Sequence, residues 1–178
     1  MNFMHLPSET LNYKDLIAVY CNIQSPDKFL VGKVQISDAD YLVLSLLSPD
    51  SQEDGLCLCS ADFIFRIEKD SQYLLSLNTD ICSASTPYLY GNAWDAFLSY
   101  AEEHKLVMQV KGYSGKRIMF GIPVDHSNDI VTVHRICSDG TKNRFFRINR
   151  KKIAMLVCDS SDEQEMNATL KNRSGFNA

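Results

Sequence analysis

The densest group of side chains able to do chemistry is basic. Arg144, Arg147, Arg150, Lys151 and Lys152 fall within nine residues, and such a cluster can neutralise phosphate groups. Upstream of it, Asn128 offers an amide to a base edge and His126 a ring for stacking. A solvated face would carry the same charges, as would a surface docked onto acidic residues of this chain or a neighbouring one. Phe145 and Phe146 stand inside the run. On a strand one of them must face the core, and an exposed Phe146 would serve as an interface residue or a base-stacking platform. Interface is the better assignment, because an edge strand has to be paired or protected.

Other chemistries are poorly specified. Cys57-Leu-Cys59 puts two thiols on one strand face, half of a metal site, but no second Cys/His pair follows at matching spacing. His5, His104, His126 and His134 are scattered, with no acid at ligand spacing and no partner that would orient a Cys–His nucleophile. Gly112-Tyr-Ser-Gly115 is too short for a phosphate loop and reads as a hairpin turn. Trp94 belongs to an apolar helical stripe and reads as core. The expectation is a non-enzymatic protein without metal or cofactor.

The elements that position these residues come twice. Leu16 to Glu68 and Leu106 to Asp159 each run through an apolar strand, a strand carrying Gly (Gly32, Gly121), an acid-bearing loop and a β-branched strand. The two glycines lie 89 positions apart, and the copies keep step until the loop beyond the third strand. Leu56–Ser60 and Phe63–Ile67 complete five strands in the first copy; Arg144–Ile148 and Ile153–Val157 complete the second. Each copy is prefaced by a short helix: one capped by Ser8, the other over Asn92–His104 with Asn92 as cap and Trp94, Phe97, Leu98 and Ala101 as its stripe. Gln72–Leu77 is a strand or a helix, and Ser138–Thr141 is a tight hairpin turn. Pro123 within the second copy's Gly strand implies an edge or a bulge.

Composition sets outer bounds. A chain of 178 residues with 45% hydrophobic content suits one globular domain or two small ones. No apolar run approaches the ~18–20 residues of a membrane span. The start lacks the basic and apolar regions of an export signal. Six cysteines, mostly in apolar strands, read as reduced core thiols of a cytoplasmic protein. Residues 1–90 hold 5 Lys/Arg against 12 Asp/Glu, whereas residues 91–178 hold 13 against 10. The first copy is acidic and the second basic, so the two have divided the work.

Gly32-Lys-Val-Gln-Ile-Ser-Asp-Ala-Asp-Tyr-Leu-Val-Leu44 resembles the first motif of the Sm-like family, which includes the Sm and Lsm proteins and the bacterial chaperone Hfq. The resemblance implies two tandem five-stranded Sm-like (SH3-like) barrels, each preceded by a helix. Their bounds would be residues 1–77 for the acidic barrel, 78–91 for a linker, 92–159 for the basic helix and barrel, and 160–178 for a flexible polar tail. It further implies that residues 37–41 and 60–62 in the first copy, and 126–129 and 149–152 in the second, are the loops that hold RNA in the family. The first copy departs from that pattern with acids and no base; the second departs in having Ser127 where the motif has Asp. The leading expectation is a protein-interaction or assembly module that self-associates or binds another protein. The alternative is an RNA-binding regulator acting through His126, Asn128, Arg147, Arg150, Lys151 and Lys152. A ligand or redox role built on the cysteines is a third reading.

Overall fold

A computed structural model describes residues 11–174 except 22, 24, 78–86, 115 and 138–141. Among the described residues, ten strands form one antiparallel sheet. The first five are β1 (Leu16–Tyr20), β2 (Leu30–Ser37), β3 (Tyr41–Leu47), β4 (Glu53–Ser60) and β5 (Arg66–Lys69). The second five are β6 (Met108–Lys111), β7 (Arg117–His126), β8 (Ile130–Ile136), β9 (Lys142–Asn149) and β10 (Met155–Cys158). Helices α1 (Gln72–Ser76), α2 (Ala93–Glu103) and α3 (Ser161–Ser174) accompany them. None of the helices is long and apolar enough to cross a membrane.

The sheet order is β5-β1-β2-β3-β4-β10-β6-β7-β8-β9. Each half therefore runs fifth, first, second, third, fourth. The halves join where β4 pairs with β10, with Cys59 opposite Met155 and Leu56 opposite Cys158. The chain is mostly β, as expected, but two separately closed barrels are not what it forms. The backbone groups on the outer side of β4 are taken up by β10, so the sheet stays single and open.

The correspondence between the two halves runs deeper than the sequence pattern. Bulges at Gln35 and Val124, and at Leu46 and Arg135, interrupt the ladders at matching places 89 residues apart. Ala61 N donates to Asp40 O (2.8 Å) as Arg150 N does to Asp129 O (2.7 Å). Asp70 and Asp159 both take positive φ before the helix that follows the fifth strand. So the copies stay in step past the third strand, through β5 and β10 and into α1 and α3. The two glycines have a packing reason. A Cβ on Gly32 would lie 2.5 Å from Ser45 O, and one on Gly121 would lie 2.8 Å from His134 O. Pro123 sits beside the second-half bulge in a central strand, so of its two expectations the bulge holds.

One strand pair separates the halves in kind. β3 is buried along its whole length, whereas β8 alternates. Leu42, Leu44, Cys57 and Cys59 fill the first half's interior. On the opposite face Tyr41, Val43, Leu56 and Leu58 join Trp94, Phe97 and Leu98 of α2, and Val110, Val131 and Leu156 of the second half. A strand covered on both faces needs no polar alternation, which is why Tyr41–Leu47 reads as an unbroken apolar run. Helix α2 begins at the expected cap, with Asn92 Oδ1 accepting from Asp95 N at 2.9 Å.

Two expectations change and one open alternative resolves. Phe63–Ile67 is not one strand: Ala61–Phe63 forms a 3-10 turn and β5 starts at Arg66. Gln72–Leu77 resolves as the helix α1. The polar tail from Ser160 is the helix α3, whose Met166 and Leu170 pack on Val107, Phe120 and Ile136. Its start carries the carboxylate half of a capping box, Ser160 N donating to Glu163 Oε2, and Ser160 Oγ donates to the same oxygen. The expected helix capped by Ser8, the turn Ser138–Thr141 and most of the 78–91 linker lie outside the described residues.

Candidate functional site

The four loops singled out by the family resemblance meet at the junction of the halves. There the β2–β3 and β4–β5 turns face the end of β9, and a cavity of about 520 Å³ opens between them. Asp40, Tyr41 and Asp62 line it from the first half, and Tyr113, Arg150 and Lys151 from the second. Its wall is built from the loop upward. Asp38 Oδ1 accepts from the backbone N–H groups of Asp40 (2.9 Å) and Tyr41 (2.8 Å). This is the turn-stabilising bond that an Asp at that position can make. Its second oxygen accepts from Ala93 N at 2.9 Å, tying the loop to the start of α2.

Arg150 is the centre of the junction. It donates to Asp40 Oδ2 (2.7 Å), to the Tyr41 hydroxyl (3.0 Å) and to Asn128 O (3.3 Å). Its guanidinium lies 4.6 Å from the Tyr41 ring centre and 5.5 Å from that of Trp94. Burial opposes its charge, but the Tyr41 bond and the charges of Asp40 and Asp38 outweigh it and hold the group above its usual pKa. Burial raises the Tyr41 phenol despite Arg150, so Tyr41 remains neutral and accepts. Across the cavity the hydroxyls of Ser60 and Tyr113 share a 2.9 Å hydrogen bond, and Tyr113 meets Phe63 edge to face.

The remaining candidates scatter. His126 turns to α2, with Nδ1 3.1 Å from Glu102 Oε2 and Nε2 3.5 Å from Ser99 Oγ. Asn128 reaches the site through its backbone oxygen. Lys151 lines the cavity mouth and Lys152 is exposed beside it. Arg147 is exposed along β9. The cavity thus collects Arg150 and Lys151, while His126 and Arg147 point to other parts of the surface. Three carboxylates, of Asp40, Asp62 and Asp129, share its lining. A fixed cation already paired with Asp40 and stacked on two rings is poorly placed to take a phosphate.

Of the two phenylalanines on β9, the exposed one is Phe145, at 64%, stacked on His134. Phe146 is half-buried beside Arg135. Sequence reasoning missed Phe145, Tyr113 and the Asp40–Tyr41 pair. Aligning the halves at the 89-residue offset would have flagged Phe145 against Leu56, and Arg150 against Ala61. Among the described residues no group of three or more His, Cys, Asp or Glu is arranged to hold a metal ion. Compared with protein-family models, curated proteins and solved structures, the chain matches none.

Proposed function

We propose that the chain is a non-enzymatic assembly module of two Sm-like units, cytoplasmic, whose copies join head to tail as β9 of one adds to β5 of the next. The observation that carries this reading is Phe145. Leu56, its counterpart 89 residues earlier, is buried in the cluster around α2, whereas Phe145 is bare. A surface covered in one half and uncovered in the other calls for a covering from outside. The sheet ends supply the means. Among the described residues β5 pairs only with β1 and β9 only with β8, and an uncovered strand edge is a template for a further strand.

The internal β4–β10 pairing also supplies a register. Shifted by the repeat, Leu56 opposite Cys158 becomes Phe145 opposite Lys69, and Cys57 opposite Val157 becomes Phe146 opposite Glu68. Arg144 would then face Asp70, joining the basic half of one copy to the acidic half of the next. A contact between two different surfaces closes into a ring or continues as a filament according to its rotation.

RNA binding through the second half is the alternative reading. Lys151 and Lys152, within the 149–152 loop named by the resemblance, favour it; the three carboxylates oppose it. Light scattering on a size-exclusion column, run over a range of concentrations with and without short mixed RNA at low salt, separates the two. Assembly predicts masses in multiples of 20.2 kDa, unchanged by RNA, and reduced to the monomer by Phe145→Asp with Ile67→Pro. A monomer at every concentration would sink it. Co-migrating RNA lost on Lys151→Glu with Lys152→Glu would put the RNA reading first. Those lysines are the right choice because Arg150 also holds the junction.

A further inference from the structure

Cys21 and Cys59 are far apart in the sheet and adjacent in space. Cys21 follows β1 directly and Cys59 lies in β4, with β2 and β3 between them in the strand order. Three steps of strand spacing across a flat sheet would be about 14 Å. The first half instead curls around its core, and the two Sγ atoms stand 3.4 Å apart. Disulfide formation asks for an approach to about 2.05 Å, a movement of little more than 1 Å. Both thiols are free.

We propose that Cys21 and Cys59 form a reversible disulfide when the protein meets a peroxide. The two thiols have different positions. Cys59 is fully buried; Cys21 sits at the margin of the core, 9% exposed. Contact with Cys21 and burial both raise the Cys59 thiol, which therefore stays protonated. Cys21 reacts first. Its sulfur attacks one oxygen of hydrogen peroxide; an S–O bond forms, the O–O bond breaks, and the departing hydroxide leaves with the Cys21 thiol proton as water. The product is a sulfenic acid. Cys59 sulfur then attacks Cys21 sulfur; the S–S bond forms, the S–O bond breaks, and hydroxide leaves with the Cys59 proton as a second water. Two thiols lose two electrons to one peroxide.

The bond would tie the end of β1 to β4 across the curled half. Cys59 is also the residue opposite Met155 in the β4–β10 ladder, so the staple would lie against the junction of the halves. Cys57 is the built-in control: it lies two residues from Cys59 in the same core, and burial foremost raises its thiol.

The test uses the full reduced chain, treated with about one equivalent of hydrogen peroxide, quenched and weighed intact, then denatured, blocked with an alkylating agent and digested. The proposal predicts one species about 2 Da lighter, a Cys21–Cys59 cross-linked peptide, and recovery with dithiothreitol. Cys21→Ser or Cys59→Ser should abolish the species and Cys57→Ser should leave it. Oxidation should raise Tm by roughly 5–10 °C in the wild type and in Cys57→Ser, and not in Cys21→Ser. A cross-link through Cys57, Cys82, Cys137 or Cys158, or a gain of oxygen with no cross-link, would overturn it. So would a Cys21→Ser protein that folds and still loses 2 Da.

Discussion

The two halves share a backbone and differ in what covers them. At matched positions 89 residues apart they repeat bulges, turn hydrogen bonds and positive-φ residues. Yet Val43 and Leu58, buried in the first half, correspond to the half-exposed Thr132 and exposed Arg147 in the second. Backbone wiring is fixed by closely packed glycines and bulges, which tolerate little change. Side chains on the outer face answer only to whatever lies against them. The outer face of β3 and β4 has α2 and the second half against it; the matching positions Thr132, Phe145 and Arg147 on β8 and β9 have no such cover among the described residues, α3 lying instead on Val107, Phe120 and Ile136. The chain thus has one junction that is finished inside it and one outer surface that is not.

The largest effect should come from Gly55, which has no counterpart in side-chain size. It holds φ of +81° in the first half, and a Cβ there would come 2.3 Å from Cys158 O. Arg144, its match in the second half, is exposed. Gly55→Ala should lower stability by about 2–3 kcal/mol, and Arg144→Ala should change it by under about 0.5 kcal/mol. Urea unfolding of both variants measures the difference. Equal effects would mean that the β4–β10 junction is no more constrained than the outer edge.

A smaller effect is expected at Arg150, where the first half carries Ala61. The Asp40 side of the ion pair is 70% exposed, so the pair contributes little, and stacking on Tyr41 and Trp94 carries most of the effect. Arg150→Met should cost about 1 kcal/mol, against nothing measurable for Lys151→Ala. Trp94 fluorescence should shift with the first and not the second. An unchanged spectrum in Arg150→Met would show that the guanidinium does not order the junction.

The smallest effect concerns matched slots in the helices that follow the fifth strands. Leu74 in α1 and Glu163 in α3 are both buried three residues after a capping serine. Burial raises the Glu163 carboxyl above its ordinary 4.5, against the bonds from Ser160. With a folded pKa above the unfolded one, the folded state holds its proton longer. Stability is therefore lost as pH rises from the unfolded value through the folded one. Glu163→Gln keeps the cap bond and removes the charge. It should match the wild type below pH 4.5 and exceed it by up to about 1 kcal/mol at neutral pH. A wild type more stable than Glu163→Gln at pH 7 would show that the cap needs the charge.

Much of the fold was legible because local physics demanded it. Asn92 before the Trp94–Phe97–Leu98–Ala101 stripe announces α2. The paired glycines announce strands crowded by their neighbours. Asp38 announces a turn held by its own side chain. The boundaries that slipped were those where no local signal exists. The 3-10 turn at Ala61–Phe63 has the alternation of a strand, and α3 is too polar to show a clear apolar face. Arg150 was legible as a charge and not as a contact, because its partners lie 109 and 110 residues away in Tyr41 and Asp40.

By itself, the sequence determined the β class, the recurring order of strands and the acidic and basic characters of the two halves, all of which are patterns along the chain. Only the tertiary structure decided that β4 would pair with β10, that Arg150 would be engaged internally, that Phe145 and not Phe146 would stand bare, and that Cys21 would meet Cys59. Each of these depends on how a curled sheet brings distant residues within a few ångströms, and periodicity carries no information about such distances.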